Sequence, residues 1–413
     1  MHRWSSEAET SRRGDDARCM STVITTPTAS DFLAIVPRLV GFPPTESIVL
    51  VAFRGKRTCA AMRFDLPPRA APAEVYRRIA TSMVGVLSKL GEADAVVPVV
   101  YTGDPFASPG GPPRAAFVRT ALERFRFSGF LVRDALCVAA DGWGSYLDTD
   151  CPAGGRDLAD ISNSPVLDAI PPAVRDRIGD IDAWSALPVV DLATKERVAR
   201  KVRSLADVLG RVTVADSRAA SPRCAAVPVN GAAEREASLA LCSLQDLPQF
   251  AEDCIARHPG ELTADAAALA IHVAQSPALR DVLMLQWAFD LATGDRVLED
   301  AQRFAAGEPV SSLETGPMML GEGRRPEVAR VESAVLLVKQ LAASAPRGSR
   351  PPLLCMLAWL NWALGRSSVA DRFVRGAEEI DPTYGLAEVL RTVLDRGMLP
   401  EWAFLLDDPT DAN

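Results

Sequence analysis

Two hydrophobic periods divide this chain, and the division constrains its fold class more than any other feature. Ser47–Phe53 reads Ser-Ile-Val-Leu-Val-Ala-Phe, and Ala95–Tyr101 reads Ala-Val-Val-Pro-Val-Val-Tyr. Runs this short, nearly all apolar and rich in β-branched side chains, read as strands buried on both faces. Arg54-Gly55-Lys56 makes a turn, so Thr58–Leu66 is the hairpin partner of the first strand, stopped by Pro67-Pro68. Pro98 lacks a backbone donor and puts the second strand at a sheet edge or a bulge. Ser30 caps a short helix, Asp31–Leu39, that Pro37 interrupts. Val75, Ile79, Met83, Val86, Leu87 and Leu90 recur at helical steps along one buried face. Arg114–Phe127 is a further helix, Phe130–Ala139 a third strand region, and Trp143–Leu147 a short returning strand. Strands alternating with helices of this length predict an α/β N-terminal domain with a mixed sheet, residues 30–165.

From residue 236 to 404 the pattern is helical, and an all-helical C-terminal domain is expected. Ser276-Pro277 opens a helix that Gly294 ends, and Asp295 caps the next, which Gly307 closes. Pro326 opens a helix through Val331, Val335, Val338 and Leu341, and Pro352 opens another that ends at Gly365. Between the domains, residues 166–235 hold loop, a helix over Ala193–Leu209 and a linker over Asp216–Ala233. Residues 1–29 read as a disordered tail, with Met20 an alternative start, and 405–413 as an acidic tail.

The 413 residues are 48% hydrophobic and 24% charged, enough to bury cores without covalent staples. Of 45 basic residues 40 are Arg and 5 Lys, and the net charge of −8 argues against a nucleic-acid or membrane-surface partner. Arg12-Arg13 is not followed by an apolar run, so it is not an export signal. Eight scattered Cys without a C-x-x-C spacing read as reduced thiols of a cytoplasmic protein.

Leu353–Leu386 holds two helices flanking Gly365, with Ala370 and Ala377 seven apart and Pro382 after them. The spacing resembles a single tetratricopeptide hairpin, which must pack on neighbouring helices; it reads first as a hairpin of the helical core, with a peptide-binding groove as the alternative.

Several segments together resemble one family: Asp31–Pro37, Leu39–Pro43, Glu46–Val51, Arg63–Pro67, Trp143-Gly-Ser-Tyr146, Cys151-Pro152, Ala370–Pro382, Gly385-Leu-Ala387 and Gly397–Pro400. The chain is similar to the actinobacterial domain-of-unknown-function 4192 family across most of residues 30–402. The resemblance implies a cytoplasmic protein of high-GC Gram-positive bacteria, in keeping with the Arg bias, and implies no activity. The family's further cysteines near Cys151 are replaced here by Asp148, Thr149 and Asp150, which argues against structural zinc at this position.

No recognised catalytic, nucleotide or metal motif occurs, so no catalytic residue, metal or cofactor is assigned. His2, His258 and His272 all lie outside the α/β domain, which disfavours a hydrolase triad there. Ala153-Gly154-Gly155-Arg156 is a candidate anion nest, and Asp148 and Asp150 are candidate Mg²⁺ ligands. The prolines of Ser108–Pro113 remove donors that a phosphate loop needs. Ligands bind beyond the carboxyl ends of strands in open sheets, which singles out Asp104, Asp141, Trp143 and Tyr146; Arg63 and Asp65 share one strand face. Lys195, Arg197, Arg200, Lys201, Arg203 and Arg211 form a cationic helix face suited to solvent or an anionic partner. The leading expectation is a non-catalytic binding or regulatory protein with an unknown protein or small-molecule partner, using the seam between the domains or the helical groove. The alternative is a hydrolase or nucleotide-directed enzyme with a carboxylate-rich site around Arg63, Asp65, Asp104 and Asp141.

Overall fold

The computed structural model describes residues 6–8, 22–107, 112–170, 181–218, 231, 235, 239, 241–308 and 315–403. The alternative start, His2, Cys19, Cys224, residues 108–111, most of the linker and the acidic tail lie outside them. The chain divides into two compact units, Met1–Trp184 and Ser185–Asn413. No described helix is long and apolar enough to cross a membrane.

The first unit is built on a mixed six-stranded sheet. Its strands are β3 (Ser47–Arg54), β4 (Arg57–Asp65), β5 (Ala95–Tyr101), β6 (Leu131–Val132), β7 (Leu136–Val138) and β8 (Trp143–Ser145). The order is β4-β3-β5-β7-β8, with β6 also paired to β5. β3 runs antiparallel to β4 and β5, β5 is parallel to β6 and β7, and β8 returns antiparallel. Val49, Val51, Phe53, Val97, Val99 and Tyr101 form one face and pack on Phe32, Leu33 and Val36 of α1 (Ala29–Val40). Ile48, Leu50, Val96 and Val100 alternate to the other face and are equally buried, the face left to α2 (Ala73–Ser88) and α3 (Ala115–Phe127).

Pro98 stands in the interior of the sheet, not at its edge, opposite Leu50 of β3. The ladder explains this. Val96 C=O accepts from Arg133 N–H, and Thr102 N–H donates to Val138 C=O, so even-numbered backbone groups of β5 face β6 and β7. Pro98 falls where β6 has ended and β7 has not begun, a position that asks for no donor.

Pro37 lies inside α1 without breaking it, and Thr28 rather than Ser30 is the cap. Thr28 Oγ1 accepts the Asp31 N–H at 3.1 Å while the Asp31 carboxylate accepts the Thr28 N–H at 3.2 Å, a reciprocal capping box. Asp31 also accepts the buried Ser164 hydroxyl at 2.6 Å. The N-terminal segment is not wholly outside the fold. β1 (Ser6–Ala8) pairs antiparallel with β2 (Thr22–Ile24), and Ile24 is buried with Ile35, Val166 and Ile170.

The second unit is helical among its described residues. α4 (Ala159–Ser162) belongs to the first unit and α5 (Ile181–Ser185) runs to the boundary; the second unit then holds α6 (Leu192–Arg218), α7 (Leu247–Ile255), α8 (Ala264–Val273), α9 (Pro277–Ala288) and α10 (Leu291–Ala305). They are followed by α11 (Thr315–Met319), α12 (Val328–Ser344), α13 (Pro351–Ala363), α14 (Ser367–Glu378) and α15 (Gly385–Asp395). Gly294 and Asp295 lie inside α10 instead of marking a boundary, because Asp290 caps this helix through the Thr293 N–H at 2.8 Å. The Cβ-free face of Gly294 makes room for Gln286 of α9.

α13 and α14 do form a hairpin, with Gly365 left-handed at its turn (φ 74°). It offers no peptide groove along α13: all 13 residues of that helix are buried, against α12, α14, α15 and α9. Trp359, Trp362 and Trp402 fill this core, their indole N–H groups donating to the carbonyls of Met319, Met398 and Ala363. A helix apolar all round is a core element, and the small residues at Ala370 and Ala377 serve helix packing.

Candidate functional site

The carboxyl end of β5 carries a dense polar cluster. Because β3 runs antiparallel to β5, Glu46, just before β3, lies at the same end of the sheet. Its Oε1 accepts the Gly103 N–H at 2.6 Å and the Thr102 hydroxyl at 3.1 Å. Its Oε2 accepts from Arg114 Nη2 at 3.1 Å. The Arg114 side chain is 10% exposed. It also donates Nε to Asp104 at 3.1 Å and Nη1 to the Pro67 carbonyl at 2.9 Å. Arg69 pairs with the other oxygen of Asp104. Glu46 (φ 39°) and Arg114 (φ 65°) are the two non-glycine residues of positive φ among the described residues. Such backbones cost about 1–3 kcal/mol each and persist only where surrounding bonds over-determine them.

Tyr146 joins this cluster through its hydroxyl, which donates to the Pro113 carbonyl at 2.6 Å beside Arg114. Burial, with the Cys137 thiol alongside, pushes that hydroxyl well above its ordinary pKa. Arg63 and Asp65 pair with one another at 2.7 Å, and Arg63 also donates to the Thr45 carbonyl at 3.3 Å, next to Glu46.

Asp141 and Trp143 belong to a second arrangement, centred on the buried ring of Phe106. Asp141 accepts the Phe106 N–H at 2.6 Å, and Trp143 Nε1 donates to the Asp157 carbonyl at 3.0 Å. The Arg156 guanidinium lies 5.3 Å from the Trp143 ring centre and bonds Asp148 at 2.6 Å. That bond holds the Asp148 carboxyl below its ordinary range, with help from the Asp150 N–H. Both Asp148 oxygens are therefore engaged, which removes it as an open Mg²⁺ ligand. The Ala153–Arg156 nest is also closed, since the Gly155 and Arg156 N–H groups donate to the Pro152 and Trp143 carbonyls. Among the described residues no three His, Cys, Asp or Glu side chains are arranged to hold a metal ion.

A third feature has no counterpart in the sequence reading. An open groove of about 520 Å³ runs between α2 and α3, lined by Glu74, Arg77, Arg78, Thr81, Ser82 and Arg124. The α2 residues are one helical stripe, on the side opposite the buried Ala80, Met83 and Leu87. On α6, Val198, Val202, Leu205 and Val208 are buried and Lys201 bonds Asp265 at 2.5 Å, leaving Arg197, Arg200 and Arg203 exposed.

A model of the family described as "Domain of unknown function (DUF4192)" matches residues 30–308 and 325–401. The chain belongs to the DUF4192 family. No curated protein and no solved structure matches it. The segments that carry the DUF4192 resemblance map onto packing devices. In Trp143–Tyr146, a Cβ on Gly144 would stand 2.5 Å from Cys151 Sγ and 2.6 Å from Phe106 Cζ. In Glu46–Val51, the first residue locks the end of β5 and the rest is the central strand. Glu46 and Arg114 escape sequence reading as a pair because 68 residues separate them; the one available signal is that each is flanked by turn or loop residues.

Proposed function

We propose that this DUF4192 protein acts by binding and regulation rather than by chemical turnover, in the cytoplasm, with its ligand site on the α/β unit. The observation that carries this reading is the saturation of the strand-end cluster. Asp104, Glu46 and Arg114 spend their charged atoms on each other, on Gly103, Thr102 and Pro67, and on Arg69. Groups held this way stabilise a loop; a general acid or base needs an atom facing a substrate. The buried thiols favour a reducing compartment. Burial pushes Cys137, Cys254 and Cys355 up to about 12, so they are poor nucleophiles.

Native mass spectrometry of the purified chain, before and after incubation with candidate ligands, tests the reading. Retention of an unaltered ligand supports it, and recovery of a chemically converted one overturns it.

The enzyme reading keeps one specific support: backbone strain at Glu46 and Arg114, beyond the carboxyl end of a central strand, is the kind found at active sites. On that reading Asp104 is the reacting carboxylate, flanked by Arg114 and Arg69, with Tyr146, Arg63 and Asp65 at the same strand end and Asp141 and Trp143 in the separate Phe106 arrangement. Loss of a measured conversion in Asp104→Asn, with the fold intact, would establish it.

A further inference from the structure

We propose that the groove between α2 and α3 is a binding site for a small-molecule phosphate monoester; this rests on the binding reading above and names its ligand class. The first argument is charge. Arg77, Arg78 and Arg124 face one carboxylate, Glu74, which Arg77 bonds at 2.7 Å. Among the described residues neither Arg78 nor Arg124 has an ion-pair partner. Elsewhere in the same unit Arg54, Arg63, Arg69, Arg114, Arg133 and Arg156 pair with carboxylates, while Arg119 and Arg126 of α3 have no ion pair among the described residues but do not line the groove. Three guanidinium groups against one carboxylate leave the groove two positive charges in excess, and a phosphate monoester carries roughly −1.5 to −2 near neutral pH.

The second argument is geometry. Guanidinium forks match phosphate oxygens two at a time, and here they project from two rigid helices. α2 and α3 are held together by their buried faces and by the Tyr76 and Phe117 rings, 5.5 Å apart. Thr81 and Ser82 lie one turn beyond Arg77 and Arg78. Their hydroxyls now donate to the carbonyls of those two residues at 2.8 and 3.2 Å, and rotation about one bond turns them to an anion.

The third argument is exclusion. No aromatic side chain lines the groove, so nothing there stacks on bases, and Glu74 at one end repels an extended polyanion.

The test is isothermal titration of the full chain with inorganic phosphate, glucose 6-phosphate and, as the neutral control, glucose. Saturable binding of glucose 6-phosphate is expected, weakening as salt is raised, with no response to glucose. Arg78→Gln and Arg124→Gln, both surface changes compatible with folding, should each weaken it at least about tenfold. The triple variant Arg197→Gln, Arg200→Gln, Arg203→Gln on α6 should leave it unchanged. Absence of binding to either phosphate, or loss through the α6 variant instead, overturns the proposal. If the chain retains a neutral molecule or a protein partner but neither phosphate, the phosphate assignment fails and the binding reading stands. If glucose 6-phosphate is hydrolysed, the binding reading itself fails.

Discussion

Arg114 and Glu46, both with left-handed backbones, bond each other at 3.1 Å across the carboxyl end of β5. The contact ties the first residue before α3 to the last residue before β3, and it fixes Thr102–Asp104 between them. Removing Arg114 leaves Glu46 unneutralised and strips the mostly buried Asp104 of one of its two arginine partners. Arg114→Ala should therefore cost about 3 kcal/mol of unfolding free energy. Arg114→Gly loses the same bonds but relieves a positive φ, so it should be less damaging than Arg114→Ala. Urea unfolding of the two variants, compared with the parent, checks the order; an alanine variant as stable as the parent rules out the staple.

Gly144 is required by close packing. Gly144→Ala drives a methyl group into Cys151 Sγ and the Phe106 ring and should destabilise by about 1–3 kcal/mol. Phe106→Leu in the same chain opens space and should recover part of the loss in a thermal melt.

Tyr101 OH and Ser47 Oγ occupy opposite positions of the β3–β5 register, both buried, and neither has a hydrogen-bond partner among the described residues. An unpaired buried hydroxyl is a cost that removal relieves. Tyr101→Phe should raise stability by about 1 kcal/mol, read as a higher urea midpoint. A marked loss would mean that the hydroxyl has a function-bearing contact.

Thiol chemistry should separate the described cysteines by burial. Cys59 and Cys242 are exposed, although partial burial also raises the Cys59 thiol, whereas Cys137, Cys254 and Cys355 are buried with thiols pushed up to about 12. Alkylation at neutral pH, mapped by peptide mass spectrometry, should modify the first pair in the folded chain and the other three only after unfolding.

His272 in α8 is held below its ordinary pKa of 6.5 by burial. The folded state therefore resists a proton that the unfolded state accepts. Its contribution to stability is complete above pH 6.5 and is lost as pH falls through the lower folded value. His272→Gln should flatten the fall in melting temperature below pH 6.5, and an unchanged slope would assign that fall to other groups.

Much of the architecture is legible in the sequence because it follows from local periodicity. The six apolar residues Ile48–Phe53 have no alternative to a doubly covered strand, and Val75 to Leu90 recur at the helical step. The misreadings occur where a distant element changes the meaning of a residue. Pro98 signals an edge until a gap between two short neighbouring strands accommodates it. Gly294 signals a helix end until Gln286 fills the space beside it.

The polar sites divide along the same line. Asp104 and Tyr146 are legible as residues at strand ends, but their bonding partners are not. Glu46 meets Arg114 only after β3 has paired with β5, and Arg124 meets Arg78 only after α3 has packed on α2. Nor does an arginine among 40 announce itself as one without a carboxylate partner. The sequence by itself determined which segments are strands, which are helices and that each half buries its own core, since hydrophobic period is a local property of the chain. Which charges are neutralised and which stay unpaired was decided by the tertiary structure alone, because electrostatic pairing acts over a few ångströms between residues that lie far apart along the chain.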